Sequence, residues 1–375
     1  MKNIIIIGGG ASGLMLASLL NNENANIMLI EKEQHVGKKL LLTGNGRCNL
    51  SNINLDNSCY NNEFAFNVAK SFDVNSYFNS LGLLTYHDEQ GRLYPFSNQS
   101  NSVLDILRKS ISNISVIDNT SIIKIDYDNQ KYRLTDQKNN KYEADIVILA
   151  TGGKTYYKES NSYILASMLS HRVSTLRPSL IPLKVKDNLA SIENLRCSVS
   201  ASLYENNKLV YQDSGEVLFK KDYLSGIVMF QLSSIINRNY YQNHYVELDL
   251  APNLTEQELI EYLDKYNDMT GLFNKMLNKF VMDKAPSSSH QDIAYTIKHL
   301  RFEILETLDF KNGQVTAGGI NINELTDNFE SKVHNNLFFI GEIVDCDGIC
   351  GGYNLHFAFA SAYKAYLKIK EKIDE

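Results

Sequence analysis

The sequence predicts an α/β protein: a parallel sheet with glycine-rich strand-to-helix turns near both ends of the chain, interrupted by a β-plus-helix insert. Three observations predict it. Residues 1–31 read as strand, glycine turn, helix and second strand. Residues 145–150 read as a strand, apolar throughout after Asp145, ending in Thr151-Gly-Gly153. Residues 340–355 read as a strand leaving through Gly341-Glu342, a glycine-rich loop and the start of a long helix.

The first of these is a complete βαβ unit. Residues 4–7 are an unbroken isoleucine run, the pattern of a strand buried on both faces. Gly8 allows the tight turn out of it, Gly10 lets the backbone approach a pyrophosphate, and Gly13 lets the helix pack on the strand. The helix opens through Ala11 and Ser12, and its first amides are unpaired and carry the positive end of the helix dipole, which suits a diphosphate. Glu31 ends the second strand, where a carboxylate accepts bonds from ribose hydroxyls, and Lys32 beside it belongs to the same site. A dinucleotide is therefore the expected cofactor.

Between these ends, residues 38–52 are rich in Gly and Asn and basic, a loop able to wrap a cofactor. Helices are expected over 67–81 and 102–112, with a turn or short strand at 91–96 between them. Segments 115–126, 131–134 and 141–144 alternate like the strands of a β-meander. Thr151 and Gly152 follow the apolar strand at 145–150, at the carboxyl end where open α/β sheets bind ligands. From residue 186 the character changes: 198–204, 208–212, 216–219 and 245–250 read as antiparallel strands. After Pro252, Thr255 is an N-cap with Glu258 completing a capping box, and the helical stretch runs, broken by Pro286, to about residue 307. The expected organisation is 1–185 as a first segment and 186–313 as an insert, its β part 186–251 and helical part 252–313. Residues 314–375 return to the first domain.

The C-terminal constellation narrows the cofactor. A helix starting at the glycine loop 351–352 faces its free amides toward a place where negative charge develops, as they would at the pyrimidine of a reduced flavin. Paired with the N-terminal βαβ unit, this favours FAD over NAD.

The other compositional signals mainly exclude. The 375 residues are 43% hydrophobic and 21% charged with a formal charge of −6, which gives no electrostatic case for nucleic acid or an anionic membrane. No window carries the roughly 18 apolar residues of a membrane span. Three glycines interrupt the apolar N-terminus, unlike a secretory signal, so a cytoplasmic location is expected. The five cysteines, at 48, 59, 197, 346 and 350, do not form a disulfide framework or a zinc pattern, and no metal is expected.

Along nearly its whole length the chain resembles the BaiN/YhiN-type flavoproteins, which include aminoacetone oxidase-like enzymes. The blocks that carry the resemblance are Gly37-Lys-Lys-Leu-Leu-Leu-Thr-Gly-Asn-Gly-Arg-Cys-Asn-Leu-Ser-Asn52, Ala150-Thr-Gly-Gly153, Thr316-Ala-Gly-Gly319, Glu330-Ser-Lys332 and 341–355. The resemblance implies an FAD-binding Rossmann-like domain of the two-dinucleotide type with an inserted β-barrel-like plus helical domain, and FAD-dependent oxidoreductase activity. It also places Lys39, Gly44, Gly46, Arg47, Cys48 and Asn49 near the flavin. Gly341, Glu342, Asp345, Gly352, Tyr353, Asn354 and Leu355 would form the C-terminal flavin loop. Two segments depart from the family pattern: 154–163, which lacks its Tyr-Pro and glycines, and 220–227, with Lys220, Lys221, Tyr223 and Ile227 in altered places.

Arg47 is the candidate for an electrostatic role at the ring or substrate, the alternative being a pyrophosphate or structural contact. Cys48 is either a small apolar packing residue or a thiolate. His356 is either a proton donor or a helix-packing histidine. The other histidines singled out (87, 171, 244, 290 and 299) show no ligand spacing. No second Gly-x-Gly-x-x-Gly occurs in 186–313, so NAD(P)H as transient electron donor would act without a Rossmann domain of its own. The expected function is hydride transfer between flavin N5 and a small or medium organic substrate. The alternatives are a flavin-binding protein with little turnover and an FAD-dependent RNA-modifying enzyme. The sequence does not set the oligomeric state.

Overall fold

The computed structural model describes residues 1–155, 162–237 and 243–375. The chain forms two compact units, residues 1–177 with 315–375, and residues 178–314. In the first, a five-stranded parallel sheet runs in the spatial order Leu337–Phe339, Ile146–Leu149, Lys2–Ile7, Ala25–Ile30 and Ser115–Ile117. Ile4 to Ile7 sit at its centre, each paired on both sides and buried, which is why that strand needs four isoleucines and no alternation. Helix Ala11–Leu20 and the 22-residue helix Tyr353–Asp374 pack against each other. The long helix buries Phe357 and Phe359, the latter edge-on to Phe78 at 5.2 Å.

Several local expectations are corrected. The helix expected over 67–81 is two, Glu63–Lys70 and Val74–Ser80. The Asp73 carboxylate accepts from the Ser76 N–H at 2.9 Å, a cap that stops the chain from continuing one helix through it. The stretch 115–126 also divides. Ser115–Ile117 joins the main sheet as its parallel edge, because the Asn119 and Thr120 amides bond the Glu33 and Glu31 carbonyls. Ile122–Asp128 then opens a separate antiparallel meander with Lys131–Asp136 and Lys141–Ala144. Within 38–52, Lys38–Leu42 is a short helix.

Among the described residues the second unit is a closed six-stranded barrel with four α-helices. Its strands in order around the barrel are Leu183–Val185, Tyr223–Ser225, Lys208–Phe219, Arg196–Glu205, His244–Asp249 and Leu300–Thr307. Closure leaves no free sheet edge. Lys208–Phe219 is one 12-residue strand where two short ones were expected. Leu300–Thr307 is a strand, not the end of a helix: Leu300 and Phe302 point into the core while Arg301 and Glu303 point out, a two-residue period that no helix can bury. Helix Ile227–Ile236 went unrecognised, its start hidden behind Gly226 at φ 109°. Thr255 and Glu258 form the expected capping box.

Phe302 fills the barrel between Phe219 and Phe280, each with ring centroids 6.3 Å away. Phe302→Ala is expected to cost about 3–5 kcal/mol. A urea midpoint followed by far-UV circular dichroism checks this, and an unchanged midpoint would contradict the packing described.

Candidate functional site

The parallel strands end in step, so their exit loops converge. The Gly8 N–H bonds the Ile30 carbonyl at 2.8 Å, Ala150 N–H the Ile7 carbonyl at 2.8 Å, and Ile340 N–H the Leu149 carbonyl at 3.1 Å. Gly8, Glu31, Thr151 and Gly341 therefore all leave the sheet at its carboxyl edge. Gly8 turns through φ 108°, and a Cβ there would lie 2.4 Å from the Ala150 oxygen. A Cβ on Gly13 would lie 1.9 Å from the Gly8 oxygen, whereas one on Gly10 meets nothing within 4 Å. Gly8 and Gly13 are thus required by the fold, and Gly10 by the space in front of it.

That space faces an uncapped helix. Ala11–Leu20 starts from Gly10 with no side-chain cap and no acid in its first turn. Tyr353–Asp374 starts from Gly352 in the same condition. By contrast, Asn62 and Asp73 cap their helices with side-chain oxygens. Their first amides are free to meet an outside anion or acceptor. Ser100–Ser110 and Ile227–Ile236 also start without a side-chain cap, and the open space in front of Gly10 sets the Ala11 start apart.

Glu31 is buried, and its carboxylate accepts from the Gly9 N–H at 2.6 Å and the Glu33 N–H at 2.8 Å. Each oxygen keeps a lone pair for a ribose hydroxyl. Burial raises its pKa, while the two amides oppose the rise. Burial also lowers that of Lys32.

Lys39 and Glu342 form an ion pair, and Lys39 Nζ also donates to Thr155 Oγ1 at 2.7 Å. Glu342 Oε1 accepts from the Thr316 N–H at 2.8 Å, and Thr316 Oγ1 accepts from the Lys154 N–H at 2.8 Å. Thr155 and Thr316 tie the two loops together and were not singled out as site residues. The position of Thr316 in the Thr-Ala-Gly-Gly block was the available signal. Asp345 is likewise held by a residue the sequence did not reveal: Ser174 Oγ donates to its Oδ2 at 2.7 Å and accepts from the Gly319 N–H at 2.9 Å.

In the C-terminal loop, Asn354 closes the turn, its Oδ1 accepting from Gly348 N–H at 2.9 Å and its Nδ2 donating to the Gly348 carbonyl at 2.7 Å. Tyr353 is buried, its hydroxyl donating to the Asn54 carbonyl at 3.1 Å. Both side chains therefore shape the loop, and what they and Leu355 can offer a cofactor is the amides of the helix start.

The 44–49 loop is left-handed at Gly44, Asn45, Gly46 and Cys48. Arg47 lies over the Tyr94 ring, 4.5 Å from its centroid. Cys48 is wholly buried, and burial pushes its thiol up to about 12, so it packs as a neutral small residue rather than reacting as a thiolate. His356 is also internal: Nδ1 pairs with Ser51 Oγ at 2.7 Å and Nε2 with the Ala69 carbonyl at 2.9 Å. Burial lowers its pKa, so it is a neutral packing histidine with Nε2 as donor.

The residues present fit FAD on observations independent of the motif. Gly10, Gly46 and Gly152 each border open space. Asn49 Oδ1 and Thr151 Oγ1 are buried without a hydrogen-bond partner. Of the segments that depart from the family pattern, 156–161 lies outside the described residues. In the other, Lys220 donates to Asn194 Oδ1 at 2.7 Å. Among the described residues no His/Cys/Asp/Glu cluster could hold a metal ion, and no helix is long and apolar enough to cross a membrane.

Comparison with known proteins agrees with this geometry. The family model for the HI0933-like protein Rossmann domain matches residues 2–367. The 3-dehydro-bile acid delta(4,6)-reductase of Clostridium scindens is 32% identical, over 97% of this chain and 98% of its own. The ribosomal RNA dihydrouridine synthase of Escherichia coli is 25% identical over 96% of each chain. Among solved structures, a flavocytochrome c3 fumarate reductase shares the fold, with a TM-score of 0.50 at 12% identity over 100% of this chain and 79% of that one.

Gly10→Val is expected to leave the fold intact, because a Cβ there meets no protein atom within 4 Å, yet to give colourless protein by filling the space proposed for the diphosphate. Yellow protein from this variant would remove the phosphate assignment. Cys48 is expected to stay unlabelled by iodoacetamide at pH 8 in native protein and to react once urea unfolds it. Native labelling at this position would contradict its neutral, buried state.

Proposed function

We propose, from the premise that this chain belongs to the HI0933-like Rossmann-domain family and is an FAD-dependent oxidoreductase, that it reduces a carbon–carbon double bond conjugated to a carbonyl in a small organic molecule. NAD(P)H is the proposed transient electron donor. The observation that carries the reading is the pair of uncapped helix starts, one opening directly from the central strand and suited to a diphosphate, the other following the loop that leaves the same sheet edge at Gly341 and suited to charge on a reduced flavin.

When bound, FAD supplies hydride chemistry at N5. The amides of residues 11–13 would hold the diphosphate, Glu31 a ribose, and the amides of residues 353–355 the pyrimidine edge of the ring. The Lys39–Glu342 pair keeps the loops around 153 and 341 in register without adding net charge. Cys48 and His356, both neutral and internal, are not assigned a proton-transfer role. A hydride and a proton add across the substrate double bond, and NAD(P)H is oxidised to NAD(P)+.

The relatives' names support the bond type: one is a delta(4,6)-reductase and the other makes a dihydro-base, so both reactions saturate a carbon–carbon bond. The formal charge of −6 favours a small molecule over ribosomal RNA.

Anaerobic mixing of the FAD-loaded protein with NADH or NADPH is expected to bleach the flavin absorbance, and a conjugated enone to restore it. No bleaching by either nucleotide would remove the donor. Bleaching with no restoration by any enone would remove the substrate class and favour a low-turnover flavin protein.

A further inference from the structure

Two of the cations around the site, Lys39 and Arg92, are paired with acids, and Arg47 is not. Lys39 is closed by Glu342, and Arg92 by Asp88 at 2.7 Å. Arg92 and Arg47 approach the same Tyr94 ring, at 5.8 and 4.5 Å. Asp88 neutralises only the first. Among the described residues Arg47 has no carboxylate within ion-pairing distance, and its guanidinium makes one hydrogen bond, a long contact of Nη2 with the Tyr94 hydroxyl at 3.4 Å. A guanidinium has five N–H donors in a planar fork, so most of them are unused here.

This is not a cation waving in solvent. Arg47 is half-buried, Tyr94 beneath it is 2% exposed, and the loop holding it is left-handed at Asn45 and Cys48, conformations that non-glycine residues adopt at a cost. The ring covers one face of the guanidinium and leaves its edge free. Gly46, immediately before it, borders open space. A half-buried cation on an aromatic platform beside an open space is a bidentate site for a carboxylate.

We infer that Arg47 on the Tyr94 platform is the subsite for a substrate carboxylate, so that the physiological substrate is an unsaturated organic acid rather than a neutral enone. This deepens the function proposed above and rests on it. The rival anion is the diphosphate of FAD, which already has its own receptor in the uncapped Ala11–Leu20 helix.

The test uses FAD-loaded protein titrated at constant ionic strength with 3-oxochol-4-en-24-oate and, separately, with its 24-amide, binding being read from the perturbed flavin absorbance. The wild type is expected to bind the acid about tenfold or more tighter than the amide, the scale of a charge-assisted bidentate pair. Arg47→Gln should bring the acid to the level of the amide while FAD content and circular dichroism stay unchanged, and Arg47→Lys should keep part of the preference. Equal binding of acid and amide by the wild type overturns the subsite. So does Arg47→Gln protein that is folded but colourless, which would place the guanidinium on the diphosphate. If both compounds bind equally and both reoxidise the reduced flavin, the subsite falls and the enone-reductase reading stands. If neither binds, and no conjugated enone or unsaturated acid in a wider panel reoxidises the reduced flavin, that reading falls and takes the subsite with it.

Discussion

The approach of Gly13 to the carbonyl of Gly8 is the constraint on which the rest of the site depends. A single Cβ on Gly13 would come within 1.9 Å of that oxygen, so the helix can dock on the central strand only with glycine there. The docked helix aims its free amides at the sheet edge. Its Ser12 hydroxyl in turn limits the second end of the chain, because a Cβ on Gly341 would lie 2.4 Å from Ser12 Oγ. One close contact thus sets the position of one helix start and restricts the residue that begins the C-terminal loop, more than 320 residues away in sequence.

Around that frame the polar groups are mostly settled internally. Glu31 is held by two amides, Asp345 by Ser174, Asn354 by its own loop, and Lys39 by Glu342. Such bonds fix side-chain directions before any ligand arrives, which lowers the ordering entropy that binding must overcome. Among the described residues the groups left open beside the glycine turns include the starts of Ala11–Leu20 and Tyr353–Asp374, the Asn49 and Thr151 side-chain oxygens, and the Arg47 guanidinium.

Much of this was legible because glycine spacing and apolar runs are local signals. The unit from Lys2 to Glu31, the strand before Thr151 and the Gly341–Gly352 loop all came from short windows whose residue types admit few conformations. The family resemblance added the barrel-like character of the insert and most of the 44–49 loop. Where reading failed, a residue's meaning was set by something distant. Asp73 reads as a tolerable helix residue until its carboxylate is seen capping Ser76. Residues 300–307 read as a helix until the neighbouring barrel strands impose a two-residue period.

The sequence by itself determined the glycine turns at the strand ends, the acid after the second strand and the expectation of FAD, because backbone clearance and helix dipoles act over a few residues. Only the tertiary structure decided the state of the side chains at the site. It neutralised Cys48 and His356 by burying them, closed Lys39 with an acid 303 positions away, and recruited Ser174, Thr155 and Thr316 as supports. Among the described residues it also left Arg47 without a counter-ion. Burial and ion pairing are properties of who the neighbours are, and those neighbours come from every part of the chain.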